Sequence, residues 1–185
     1  MLWSEAKSSG SAPAIFFQRL CTEGLRTRGK ARQLSDGKSY ATRPQLQTTG
    51  ENELAALWVE TAAGDIPSAL RLVHLDVEGS AKTAVRRIRP KDGATVIDGT
   101  VLCDASACRG LLASSRDGQA RLEAFTLKAA EGAPVASSPV ARLSGLPEGS
   151  DHLLMPKAAE PYLLFSQRLG KRSRLRKLLV QWTAR

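Results

Sequence analysis

A chain of 185 residues that is 42% apolar and 24% charged has the composition of an ordinary globular domain and enough material for one sizeable core. No apolar run approaches the roughly 18 residues of a membrane-spanning helix, and no charged-then-apolar leader opens the sequence. The formal net charge of +9 and pI of about 9.9 favour anionic partners, among them nucleic acid, acidic polysaccharide and phospholipid headgroups.

The chain opens on Leu2-Trp3-Ser4-Glu5. That tetrapeptide returns as Leu57-Trp58-Val59-Glu60, then as Leu112-Ala113-Ser114-Ser115 and Leu164-Phe165-Ser166-Gln167, at steps of 55, 55 and 52 residues. Such a period predicts repeated structural units. Each anchor precedes a second apolar run: Ile15 to Leu20, Leu70 to Leu75, Leu122 to Leu127, and Leu178 to Trp182. Leu70, Leu72 and His74 alternate with Arg71, Val73 and Leu75, and this period of two predicts a strand. Turns follow at Glu23-Gly24, Glu78-Gly79 and Glu131-Gly132, where glycine supplies the positive φ of a tight turn.

A third short run ends at Leu34, Ile88 and Leu143, before the polar turns Ser35-Asp36-Gly37, Lys91-Asp92-Gly93 and Pro147-Glu148-Gly149. A last run closes each unit at Gln45-Leu46-Gln47, Val101-Leu102-Cys103 and Leu153-Leu154-Met155. Four short antiparallel strands per unit result. One such sheet cannot bury both faces alone, and stacking units around an axis gives the blades of a β-propeller. The expected fold is all-β: a partial propeller of about three and a half four-stranded blades, in units of about 1–40, 41–93, 94–149 and 150–185. Trp3, Trp58, Leu57, Leu112, Leu164 and Phe165 are the expected core between blades.

This pattern resembles the degenerate β-propeller repeats of large secreted or surface bacterial proteins. In those repeats an apolar-Trp-Ser/Val-Asp/Glu strand leads through a polar turn into a second apolar strand and an acidic-Gly turn. Leu57 through Gly79 carries the likeness best; Ala113 and Phe165 depart from it where tryptophan is expected. The resemblance implies architecture and is nearly silent on function, because propellers host many activities. With strands lettered A to D outward from the axis, the chain supplies B-C-D, two whole blades and A-B-C. Two readings are open: the C-terminal portion of a longer propeller whose start has been lost, or an array completed by self-association.

Cys103 and Cys108 flank Asp104-Ala105-Ser106-Ala107 in the A–B hairpin of the third unit. Facing positions across a short hairpin allow a disulfide, which suggests an oxidising compartment: extracellular, cell-surface or periplasmic. The alternative is a pair of reduced thiols. No metal site and no cofactor are expected, since no second ligand pair is evident and His74 and His152 stand isolated in the sequence. Cys21 is either a free thiol or the partner of a cysteine lying upstream, and no histidine in its unit marks it as a nucleophile.

The densest basic run is Arg168, Lys171, Arg172, Arg174, Arg176 and Lys177, with no acidic residue after Glu160. It reads as a solvated hairpin loop between the last two strands, with charge that discourages edge-to-edge pairing. A basic amphipathic helix over Lys171 to Trp182 is disfavoured, because Leu178 to Trp182 fills a strand slot. Nucleic acid is disfavoured too, since no aromatic platform interleaves the charges.

Ser115-Arg116-Asp117-Gly118 is similar to the Asp-box turn of sialidase-like propellers but lacks the later Gly and Thr-Trp. Sialidase-type chemistry also needs a tyrosine nucleophile, and Tyr40 and Tyr162 have no defined partner in the sequence. The expected function is therefore a non-catalytic propeller module that binds or scaffolds protein or anionic glycan partners. The alternative is a propeller-type hydrolase fragment with its active site at the central mouth.

Overall fold

The computed structural model describes residues 1–21, 26–61, 68–104, 107–117, 119–128, 150–154, 162–169 and 171–179. Among them are thirteen strands and no helix. The strands are β1 (Leu2–Glu5), β2 (Ala14–Leu20), β3 (Thr27–Gln33), β4 (Tyr40–Gly50), β5 (Glu53–Thr61), β6 (Ala69–Asp76) and β7 (Arg86–Ile88). There follow β8 (Thr95–Cys103), β9 (Ala107–Arg116), β10 (Gln119–Lys128), β11 (Ser150–Leu154), β12 (Tyr162–Leu169) and β13 (Arg172–Leu179). They build four sheets, ordered β1-β2-β3, β4-β5-β6-β7, β8-β9-β10 and β11-β12-β13. All the pairings are antiparallel and join neighbours in sequence. The all-β antiparallel expectation holds. Among the described residues the sheets do not close on themselves.

The core lies between sheets. Strand β5 alternates, and both of its faces are covered. Leu57 and Val59, with Leu70 and Leu72 of β6, pack on Val101, Leu112 and Phe125 of the third sheet. Ala56 and Trp58, with Val73 and Leu75 of β6, pack on Ile15 and Phe17 of the first. A sheet covered on both sides needs nearly unbroken apolar strands, which is why β5 reads Leu-Ala-Ala-Leu-Trp-Val rather than alternating apolar with polar. Trp58 is 1% exposed, while Trp3, on the far face of the first sheet, is half-buried and stacks on Phe16 with ring centroids 5.7 Å apart.

The third sheet is one residue out of step with the alignment of Leu112 on Leu57. Leu57 and Leu112 meet in the same inter-sheet layer, so they face opposite ways along the stack. Leu112 therefore stands on the face that Trp58 uses, directed at the preceding sheet, and Ala113 stands on the other. A slip of one residue exchanges the two faces of a strand. Sequence similarity could not detect it because both faces of these strands are apolar.

Strands β4, β8 and β11 are longer than the short apolar runs that mark them in the sequence suggested. β4 begins at Tyr40 and β8 at Thr95, and each is interrupted by a bulge, as is β11. The bulges fall opposite Trp58, between Ser114 and Ala113, and between Ser166 and Phe165. An extra residue breaks the period of two and bends the strand, so alternation fades where the strand continues. Arg43, at φ 55°, lies in the first of these bulges.

The turns have local causes. Asp76 Oδ1 accepts the backbone N–H groups of Glu78 (2.9 Å) and Ser80 (2.8 Å), an acidic turn cap that holds its carboxyl below the ordinary range, Ser80 first among the causes. Gly79 follows at φ 82°, and a Cβ there would lie 2.2 Å from Phe17 Cδ1, so this turn docks on the first sheet. Gly37 and Gly93 have positive φ at the expected polar turns, and Asp117, at φ 52°, sits in the tight connection between the paired Arg116 and Gln119. The turns at Glu23-Gly24, Glu131-Gly132 and Pro147-Glu148-Gly149, the run end at Leu143, and Met155 and Trp182 lie outside the described residues.

Two substitutions test this packing. Trp58→Phe should lower stability by roughly 1–3 kcal/mol, and Trp3→Phe by clearly less, in chemical denaturation of the two variants; equal losses would contradict the stacked arrangement. At Gly110, directly across from Phe125, a Cβ would approach the ring to 2.1 Å. Gly110→Ala should cost about 1–3 kcal/mol by overpacking, read from the same denaturation curves.

Candidate functional site

Three regions carry polar chemistry. The first is where the β8–β9 hairpin meets β6. Cys103 and Cys108 are directly paired across the hairpin, with Cα atoms 4.0 Å apart, and they form a disulfide. The turn beyond is fastened from both sides: Asp104 N–H donates to the Ala107 carbonyl and Ala107 N–H donates to Asp104 Oδ1, each at 2.9 Å. Closing so short a loop contributes on the order of 2 kcal/mol in the chain-entropy account. Both cysteines are buried in the layer between the second and third sheets. Cys21 is a free, half-buried thiol.

Nothing in the residue pattern signals that His74 joins the cysteines. β6 carries it on the face shared by Leu70 and Leu72, and the stacking of the sheets brings its Nε2 to 3.5 Å from Cys108 Sγ. Its backbone is held on both sides: the N–H donates to Thr83 Oγ1 (3.2 Å) and the carbonyl accepts from Lys82 N–H (2.8 Å). Burial lowers the imidazole's pKa, and Arg86 lowers it further, against a partial opposing effect of Glu53. The only signal in the sequence was the alternation of β6, which says which face His74 occupies and nothing of what covers that face.

The second region joins the first strands of the second and third sheets. Arg43 Nη1 lies 3.2 Å from Asp98 Oδ2, whose carboxylate is buried and whose other oxygen accepts Gly99 N–H at 2.8 Å. Gln45 Nε2 donates to the Gly99 carbonyl and Gln47 Oε1 accepts Cys103 N–H, each at 2.9 Å. Three alternate residues of β4 thus reach across to β8. This zipper binds sheet to sheet without a shared backbone ladder.

The third region is basic. Lys171, Arg172, Arg174, Arg176 and Lys177 are all exposed, as is Leu175 at 73%. They do not form the expected hairpin loop. Arg172–Leu179 is itself strand β13, paired with β12 along its whole length. A dense run of cations reads as a loop by composition, yet pairing to an apolar strand needs only backbone groups, and charged side chains are tolerated on an exposed strand. The period of two puts Arg172, Arg174 and Arg176 on one face. Arg168 and Phe165 belong to β12, in register with Ser173 and Arg176, and Leu164, in register with Lys177, is half-buried. Strand β3 is likewise exposed throughout and carries Arg28, Lys30 and Arg32. Tyr40 opens β4, exposed, while Tyr162 opens β12, in a different sheet. His152 lies at the bulge of β11.

The indole anchors have a polar role as well. Trp58 Nε1 donates to Glu60 Oε1 (3.3 Å), and Arg71 Nε donates to Glu60 Oε2 (2.6 Å). Trp3 Nε1 donates to Glu5 Oε2 at 2.9 Å. Residues two apart share a strand face, so the repeated Trp-x-Glu spacing satisfies an indole N–H within its own strand.

Compared with known proteins, the chain matches no protein-family model, and no characterised protein aligns with it significantly. No helix among the described residues is long and apolar enough to cross a membrane.

The depressed pKa of His74 fixes the sign of a pH effect. The unfolded chain takes up the histidine proton near pH 6.5, before the folded chain does, so stability falls as pH drops through that value toward the lower folded pKa. Denaturation midpoints between pH 5 and 8 should show this decline. In His74→Gln the decline should shrink; an unchanged profile would exclude His74 as its source.

Proposed function

We propose that the chain is part of a β-propeller that acts as a non-catalytic binding module for an anionic glycan. Three features support the propeller arrangement. Consecutive sheets pack face to face through the second and third; β4, β8 and β11 approach one another in chain order, as strands nearest a common axis would; and each of these three strands carries a bulge. The chain's resemblance to the repeats of secreted and surface bacterial propellers points the same way, and the disulfide is compatible with an extracellular or periplasmic setting.

The observation that carries the binding reading is the face of β13. Arg172, Arg174 and Arg176 recur at every second residue of an extended strand, which spaces them about 6.6–7 Å apart. Such a row can engage the carboxylates or sulfates of an extended acidic polysaccharide, since guanidinium groups bind oxyanions in bidentate fashion. Protein partners with acidic surfaces would use the same charges.

Binding to a sulfated polysaccharide should be measurable by calorimetry at low ionic strength and should weaken steeply with added salt. Arg172→Ser, Arg174→Ser and Arg176→Ser together should reduce affinity at least tenfold while leaving the melting temperature nearly unchanged. Affinity that survives the triple substitution would rule out β13 as the glycan surface.

A further inference from the structure

We propose that Cys103, Cys108 and His74 form a thiol-gated zinc site: reduction of the disulfide frees two sulfur ligands, and zinc(II) then binds between them and His74 Nε2. The three ligand atoms come from two different sheets and lie within 4.8 Å of one another. Tetrahedral zinc with Zn–S of about 2.3 Å and Zn–N of about 2.0 Å sets sulfur and nitrogen roughly 3.5 Å apart. The Cys108 Sγ to His74 Nε2 separation is already 3.5 Å. Only the two sulfurs have to move, from bonding distance to about 3.8 Å, by rotation about Cα–Cβ bonds held on facing strands. Thr83 and Lys82 anchor the backbone of His74 independently of the disulfide, so its position on β6 does not depend on the S–S bond. Water fills the fourth position, as in zinc sites with three protein ligands.

The reductant is a small dithiol. One of its thiolates attacks a cysteine sulfur, the protein S–S bond breaks, and a mixed disulfide forms. The second thiol of the reductant resolves that bond, leaving a cyclic disulfide and two protein thiols; two electrons and two protons have passed to the protein. Zinc displaces both thiol protons to solvent. The cysteines are nearly covered, at 5% and 3% exposure, but they form the last pair before the β8–β9 turn, where local opening costs least.

The test uses the full chain with Cys21→Ser, to remove the unrelated thiol. Protein reduced with dithiothreitol and desalted without oxygen is titrated with zinc chloride against a colorimetric chelator, beside oxidised protein. The reduced form should take up one equivalent and the oxidised form none. Cobalt(II) in place of zinc should give thiolate-to-metal charge-transfer absorption. His74→Gln should weaken zinc at least tenfold, and the rise in melting temperature that zinc gives the reduced protein should vanish with it. No stoichiometric uptake by the reduced protein, equal uptake by the oxidised protein, or unchanged affinity in His74→Gln would each overturn the proposal. Circular dichroism covers the case in which reduction unfolds the chain: failure of zinc to restore the β signal would overturn it as well.

Discussion

Burial of both faces of the β4–β7 sheet is the constraint on which the described structure depends. A sheet has two faces and a single layer can hide neither, so the apolar content of β5 and β6 has to be met from two sides. Trp58, Val73 and Leu75 are covered by β2, and Leu57, Leu70 and Leu72 by β8, β9 and β10. Removing either neighbour would expose a row of large side chains at about 25 cal/mol for each Å² of apolar surface. The sheets therefore stabilise one another.

Close approach between the sheets comes from small residues and from polar side chains that bridge the gap. Gly110 leaves room for the ring of Phe125 across the hairpin, where the second sheet has Ala56 across from Val73. The pair keeps similar bulk while shifting it from one strand to the other. Arg43, Gln45 and Gln47 carry β4 onto β8 through hydrogen bonds to a buried carboxylate and to backbone groups, satisfying donors and acceptors that a sheet boundary would otherwise leave exposed or orphaned. The outer strands behave differently. β3 and β13 are exposed and cationic, a composition that discourages edge-to-edge pairing.

Much of this could be read from the residues. Alternation in β6, the Asp/Glu-Gly turn at its end and the facing cysteines of the β8–β9 hairpin are local signals, each settled by backbone geometry over a few residues. The all-β class and the disulfide between Cys103 and Cys108 follow from them. The strand character of Arg172–Leu179 was hidden, because charge density is a cue to solvent exposure and not to backbone conformation. The slip between Leu57 and Leu112 was hidden as well, because apolar residues fill both faces and similarity along the chain cannot tell one from the other.

Local pattern determined where most of the strands and turns form, since period, β-branching and positive-φ glycines act within a few residues. What lies opposite each face was decided only in three dimensions. His74 met the cysteines because two sheets from separate stretches of chain stack, and Arg43 met Asp98 because that stacking sets β4 beside β8. Those meetings depend on the relative placement of whole sheets, which is set by the sum of many weak apolar contacts and is written in no single segment of the sequence.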